Sequence, residues 1–463
     1  MRPFCFRSYR PAFSGYGYGT NDFVESFRRN NWRFTFQPDA LEKAEKCREE
    51  VVIHSGFPHF YRLEPGKIHI ARVMLESDSL PRLWADVLNS MDEVWVASSF
   101  NVETFADGGV NRRKIFVIPD MVDPRFSPPP HPRAPRKKFR FLSVFLDLSL
   151  RKGWDVMLYE FAANFSGAHD VEWVVQCSPD SARRLKEVIK EVNRRGHKTG
   201  NITVRGEIPS IPELVKLYRS ADCYVLPTRG EGFGRPYLEA AACGVPVIAT
   251  GWGGQLDFLN RRNSRLLKYT LVDVPAPEAL DCYFLACQRW AEPSHGDLGT
   301  ALRRMPERPA LRPVDCEPFR EKNVLALIEA RLGAVKKRPE KRRDFSPQII
   351  VYDRGWKARQ LSPRGFAREL NAAGKKIAVA GTGRNAASLS RFLAENGFTV
   401  PFYIDRKPGR FMGKKVLSPD GLPANARADM VLISCFPAAF AEWVAMLDGR
   451  WKLLPVIFYS RRG

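Results

Sequence analysis

Two glutamates eight positions apart, Glu231 and Glu239, flank a glycine-rich turn in the stretch from Pro227 to Phe258, PTRGEGFGRPYLEAAACGVPVIATGWGGQLDF. The turn itself is Gly232-Phe233-Gly234-Arg235. Flexible glycines let backbone N–H groups approach phosphates, and a helix N-terminus favours negative charge. A pair of carboxylates beside such a turn suits an anionic ligand that also carries a sugar.

The surrounding residues position that turn. Cys223 to Leu226 reads as a buried strand, and Val245 to Ala249 as the next one. Between them Pro236 suits the first position of a short helix, where its missing N–H costs nothing, and Gly244 suits the position just past its end. Glu231 is then expected in the loop and Glu239 about one turn inside the helix. Strand, glycine loop, helix and strand make a βαβ unit, whose ligands bind at the strand C-termini.

The pattern E-G-F-G-x-x-x-x-E, followed by A-x-x-C-G-x-P-V-I-A-T, resembles the signature of the family 4 retaining glycosyltransferases. That resemblance implies an α/β chain of GT-B architecture, two Rossmann-like domains facing across a cleft. It implies that Glu239 binds the ribose hydroxyls of a nucleotide sugar and that Glu231 contacts the transferred sugar. Gly232, Phe233, Gly234 and Arg235 would meet the donor beside them. Family members carry a basic pair in the loop after the first strand of the donor half, and it neutralises the donor diphosphate. Here Phe139 to Phe145 is that strand, and Arg151-Lys152-Gly153 follows it. Arg clamps phosphate oxygens in pairs, and Lys acts as a point charge. In the same likeness, Gly206-Glu207-Ile208 matches the loop that holds the nucleobase, mainly through backbone. Gly15-Tyr16-Gly17 matches a glycine loop that faces the donor phosphates from the other half. The family's acceptor-half histidine is replaced by Glu76, which is expected to take over a polar contact. His54 and His59 are the other candidates for that place.

Strands and helices alternate along the whole donor half. Strands are expected at Val171 to Val175 and Ile202 to Gly206, and helices at Ser181 to Arg194 and Ile211 to Ala221. In the N-terminal part, Pro3 to Ser8, Val51 to His54, Ile68 to Arg72 and Met91 to Ala97 read as strands. Phe116 to Pro119 reads as the crossover between the halves. The domains are therefore expected at 1–126 (acceptor side), 127–333 (donor side), 334–370 (a basic linker) and 371–463 (a small Rossmann-like module). That last unit carries G-x-G-x-x-A at Gly381 to Ala386, with Asp405 about 20 residues on, as a dinucleotide-binding half would.

The chain has 463 residues, 44% of them hydrophobic, with formal net charge +22. Such length suggests two to four domains. The charge fits a basic surface, or attraction to an anionic membrane or acceptor. No recognition helix, RNP motif or zinc-finger spacing speaks for nucleic acid. No signal peptide and no membrane-spanning run is read, so a cytoplasmic enzyme is expected, peripheral at the inner membrane face if it touches a membrane. Nine scattered cysteines suit reduced, buried thiols such as Cys177, Cys223 and Cys243. The expected activity is hexosyl transfer from a UDP- or GDP-sugar to a glycan, lipid-linked or protein acceptor, in polysaccharide or glycoconjugate biosynthesis. The resemblance implies that no metal and no further cofactor is needed. The alternative is a non-catalytic nucleotide-sugar-binding or scaffold protein on the same fold. Loss of the basic pair or of either glutamate would mark it, and all four residues are present.

Overall fold

The structure, a computed structural model, describes residues 2–8, 15–38, 45–58, 61–131, 137–275, 288–307, 310–336, 348–352, 358–361, 363–381, 384–405, 408–419, 422, 426–434, 447 and 453–459. The chain divides into two units. The first holds two six-stranded sheets and the second an eight-stranded one.

Unbroken apolar strands need both faces covered, as in parallel sheets. The first sheet is built from β1 (Phe4–Ser8), β2 (Phe34–Pro38), β3 (Val51–Ser55), β4 (Ile68–Val73), β5 (Glu93–Val96) and β6 (Ile115–Val117). Helices α1 (Gly15–Arg29), α2 (Arg82–Asn89) and α3 (Ser99–Asp107) lie between strands in the chain. The order is β2-β1-β3-β4-β5-β6, with every pair parallel. The segment read as a crossover at Phe116 thus adds an edge strand before the chain leaves this half.

The second sheet comprises β7 (Phe139–Val144), β8 (Val171–Gln176), β9 (Ile202–Arg205), β10 (Cys223–Leu226), β11 (Val247–Thr250) and β12 (Arg265–Leu267). Its helices are α4 (Trp154–Phe165), α5 (Pro179–Arg194), α6 (Ile211–Arg219) and α7 (Arg235–Ala242). The order β12-β11-β10-β7-β8-β9 is parallel throughout. It reverses between β7 and β10, and at such a switch point a crevice opens beyond the strand C-termini. Trp173, Phe161, Tyr224 and Tyr237 fill the core of this half.

After a two-stranded pair, β13 (Tyr269–Asp273) and β14 (Arg289–Pro293), come α8 (His295–Arg304) and α9 (Glu321–Ala334). Helix α9 returns to the first sheet. Val324, Leu325, Ile328 and Leu332 are buried with Phe4, Phe6, Phe27 and Trp95, each contributing about 1.5–3 kcal/mol. Arg331 pairs with Glu93, and Glu321 accepts from Arg29 at 2.6 Å.

The second unit's sheet uses β15 (Gln348–Tyr352), β16 (Ala358–Leu361), β17 (Ile377–Ala380), β18 (Tyr403–Ile404), β19 (Gly409–Phe411), β20 (Lys414–Leu417), β21 (Met430–Ile433) and β22 (Leu453–Tyr459). With them come α10 (Pro363–Asn371) and α11 (Arg384–Glu395). Its order is β16-β15-β22-β21-β17-β18-β20-β19, a parallel centre with antiparallel edges. Residues 334–370 are therefore no simple linker. From Gln348 they supply β15 and β16, and Ile349 and Val351 join the core of this unit. Of the glycine motif, Gly381 takes φ +97 after β17, while Thr382 and Gly383 lie outside the described residues.

Among the described residues, Cys5, Cys47, Cys177, Cys223, Cys243 and Cys316 are buried and form no disulfide. No helix of the described residues is long and apolar enough to cross a membrane.

Candidate functional site

The loop after β7 carries the basic pair. The Ser149 hydroxyl accepts from the Arg151 N–H at 3.1 Å and opens a short turn through Lys152. Gly153 ends it at φ +65, and a Cβ there would lie 1.9 Å from the Pro227 carbonyl oxygen. Only glycine allows that approach. It draws the β7 loop against the β10 loop at the switch point.

Arg229 ties the same two loops together. Its N–H donates to the Arg151 carbonyl at 2.7 Å. Its guanidinium binds both Asp155 oxygens (2.8 and 2.9 Å) and both Glu292 oxygens (2.6 and 2.8 Å), and also donates to the Leu150 carbonyl. Burial opposes the Arg229 charge, but its hydrogen bonds to the two carboxylates outweigh it and raise its pKa. Nothing in the spacing of Asp155, Arg229 and Glu292 announces this clamp.

The β10 loop delivers Glu231 to the pair. Lys152 Nζ donates to Glu231 Oε1 at 2.8 Å, and Arg151 Nη1 approaches the same oxygen at 3.4 Å. Arg151 Nη1 also donates to the Gly230 carbonyl at 2.8 Å. The loop is pressed on the N-terminal half. A Cβ on Gly230 would meet the Glu76 carbonyl oxygen at 1.9 Å, and Ser98 Oγ donates to the Gly232 carbonyl at 2.6 Å. The Glu76 backbone thus lies against the loop that carries Glu231. Burial pushes the Glu76 carboxyl above the usual range, Arg151 pulls it down, Glu231 pushes it up and Lys152 pulls it down.

Helix α7 starts from Gly234 in the left-handed region at φ +91, with Pro236 in its first turn and Gly244 at φ +73 beyond its end. Glu239 lies one turn in. Its Oε2 accepts from the Tyr218 hydroxyl at 2.9 Å and its Oε1 from Arg235 Nη2 at 3.4 Å. Burial raises the Glu239 pKa, while Arg235 and the Tyr218 hydrogen bond restrain it. Arg235 also reaches Asp22 on α1 at 2.6 Å, so one guanidinium spans both halves. Its Nη1 is buried and has no hydrogen-bond partner among the described residues.

The remaining expected residues are placed as follows. Phe233 is 1% exposed and packs on Phe258 and Phe319, with ring centroids 5.5 and 5.6 Å away. Its side chain is core, which leaves only its backbone for a ligand. Gly15, Tyr16 and Gly17 form the first turn of α1 rather than a loop, because Phe23, Val24 and Phe27 anchor the helix in the core. Gly206 packs against Ala182 and Pro179, Ile208 is exposed, and the neighbouring Glu207 carbonyl accepts from Gln176 at 2.6 Å. His54 is buried and shares a 2.9 Å hydrogen bond with His69, a place in the sheet interior. His59 lies outside the described residues.

Residues 138–280 match the family model described as Glycosyl transferases group 1. Among curated proteins, the chain is 56% identical over 43 residues to a D-inositol 3-phosphate glycosyltransferase of Paenarthrobacter aurescens, covering 9% of this chain and 10% of that one. It is 28% identical over 221 residues to a GDP-mannose-dependent alpha-mannosyltransferase of Corynebacterium glutamicum, 46% of each chain. The matches thus span less than half the length of these relatives. Among solved structures it resembles Anabaena HepE in complex with UDP and glucose, with TM-score 0.54 and 12% identity over 72% of this chain and 100% of that one. It also resembles sucrose-phosphate synthase from Thermosynechococcus elongatus, with TM-score 0.52 and 15% identity over 72% and 98%. The first two sheets have the GT-B architecture, and the mixed sheet is an addition to it.

Proposed function

We propose that the chain is a retaining glycosyltransferase, moving a sugar from a nucleotide-sugar donor to an acceptor hydroxyl. One observation carries this reading: at the β7/β10 switch point Lys152 and Arg151 converge on Glu231, with Glu239 one helical turn inside α7. In the donor complex the diphosphate takes the place of Glu231 as partner of the two cations. The first-turn N–H groups of α7 and of α1 add to that positive field. Glu239 accepts from the ribose hydroxyls, and Glu231 turns to the transferred sugar. The Gly206–Ile208 backbone receives the base.

As the bond from C1 to phosphate breaks, charge grows on the leaving diphosphate. Cations fixed in advance stabilise that growth without reorganisation. The acceptor hydroxyl attacks C1 from the face the phosphate leaves, and the departing phosphate oxygen takes its proton. Bond, charge and proton then balance with no nucleophile from the protein. The acceptor is a glycan, a lipid-linked glycan or a protein, and the +22 net charge draws the enzyme to an anionic membrane face.

The test is a thermal-shift screen against UDP, GDP, ADP, CMP, dTDP and their sugars, beginning with GDP because of the GDP-mannose-dependent relative. A ligand that binds only the native state raises Tm. One nucleotide is expected to do so, and Glu239→Ala to shrink the shift. No shift with any of them at millimolar concentration would overturn the proposal. Inversion at C1, seen by NMR of the product, would overturn retention.

A further inference from the structure

We infer that Trp252, Phe100 and Tyr269 form a subsite for a pyranose ring of the acceptor. This rests on the glycosyltransferase reading and adds the acceptor's chemical class to it.

Sheet order supplies the direction. The base loop Gly206–Ile208 follows β9 at one edge of the donor sheet, and the basic pair and Glu231 follow β7 and β10 at its centre. A donor laid between them points its sugar away from β9, toward the loops after β10 and β11. Whatever receives the sugar must enter from the β11–β12 side.

That side is lined with aromatic rings. Trp252 follows β11, Tyr269 opens β13, and Phe100 comes from the first turn of α3 in the acceptor half. The Trp252 centroid is 4.8 Å from Phe100 at 73° and 6.4 Å from Tyr269 at 47°. Trp252 Cζ3 would lie 3.4 Å from a Cβ on Gly230, the residue before Glu231. Unlike the core tryptophans, Trp252 and Phe100 are only partly buried, and Tyr269 is 40% exposed. Polar groups interleave with the rings. The Asp257 carboxylate accepts from the Ser99 N–H at 2.8 Å and from its hydroxyl, directly beside Phe100.

This mixture fits a sugar. A pyranose presents a face of C–H bonds rimmed by hydroxyls. The negative face of an aromatic ring attracts the first, and carboxylates and serines take the second. A lipid chain would call for a continuous aliphatic wall, which a border of Asp257, Ser99 and Glu76 does not offer. Because Phe100 and Trp252 come from opposite halves, the subsite is complete only when the halves stand as they do here.

The test is saturation-transfer difference NMR on the full chain, saturated with the nucleotide found by thermal shift. The probes are the methyl pyranosides of glucose, galactose, mannose and N-acetylglucosamine. At least one is expected to show transfer concentrated on the C–H protons of a single ring face. In Trp252→Ala its affinity falls about tenfold, the order expected from losing one aromatic face, and Trp252→Phe restores most of it. No transfer to any pyranoside in the unsubstituted protein overturns the subsite, and so does equal transfer in Trp252→Ala. The nucleotide shift separates the failures. Its absence sinks the glycosyltransferase reading, while its presence with no pyranoside signal sinks only this one.

Discussion

Lys152 Nζ stands 2.8 Å from Oε1 of Glu231, and both side chains are about nine-tenths buried, with relative exposures of 12% and 10%. On the proposed reading, the cation that the diphosphate would need is held in advance by the carboxylate that would later face the sugar. Lys152→Ala should lower kcat by about 10²-fold, the usual loss when one donor to developing charge is removed. It should also cost about 1–3 kcal/mol in stability, because Glu231 keeps only the longer contact to Arg151. Steady-state rates at saturating donor and urea unfolding check both. An unchanged kcat would remove Lys152 from the chemistry.

Glu239→Ala should act on binding rather than turnover. Two ribose hydroxyls lose their acceptor, so nucleotide affinity should fall about tenfold or more, while kcat changes less. Arg235 retains Asp22 at 2.6 Å, so the fold should survive. Calorimetric titration with the nucleotide that shifts Tm measures this. Equal affinity in the variant would withdraw the ribose role.

The βαβ unit around these glutamates was legible because its signals are local. Four consecutive apolar residues make β10, glycines mark the turn, Pro236 marks the helix start and Gly244 its end. What the sequence concealed is assembled from distant residues. Asp155, Arg229 and Glu292 meet only in three dimensions. The strand β15 pairs antiparallel with β22, about a hundred positions on, and lies just beyond a basic run that masks it. The glycines at the start of α1 signal a turn locally, but the burial of Phe23 and Phe27 on the sheet carries the helix back through them.

Arg229 yields a prediction that its sequence context does not suggest. Arg229→Met removes a cation shared by two carboxylates and leaves both without it. Breaking such a partly buried network, whose two carboxylates are each 32% exposed, costs about 1–3 kcal/mol. The β7 loop should loosen with it, so kcat should fall although the Arg229 guanidinium is engaged by Asp155, Glu292 and the Leu150 carbonyl. Urea unfolding and faster hydrogen exchange of the amides around Arg151 would show this. A stability loss with an unchanged exchange pattern would make Arg229 a structural residue only.

We propose metal independence on the same charge arrangement. In the proposed donor complex, Arg151, Lys152 and the first turn of α7 supply positive charge where the diphosphate would leave. Addition of a chelator should therefore leave turnover unchanged. Activity lost to chelator and restored by Mn²⁺ or Mg²⁺ would refute that distribution of charge.

Glu76 makes the last prediction, on pH. Its carboxyl titrates above the ordinary range in the folded chain, chiefly through burial. The folded state therefore holds this proton to a higher pH than the unfolded state does. Between the unfolded and folded pKa values, raising the pH takes the proton from the unfolded chain first, so stability falls as pH rises through that window. Glu76→Gln keeps the shape and removes the titration. The difference in unfolding free energy, variant minus wild type, should increase from the lower to the upper end of the window and then level off. Urea unfolding from pH 4 upward measures it. A pH-independent difference would mean that Glu76 is as well solvated in the cleft as in the unfolded chain, and a difference of opposite slope would mean that Arg151 and Lys152 outweigh its burial.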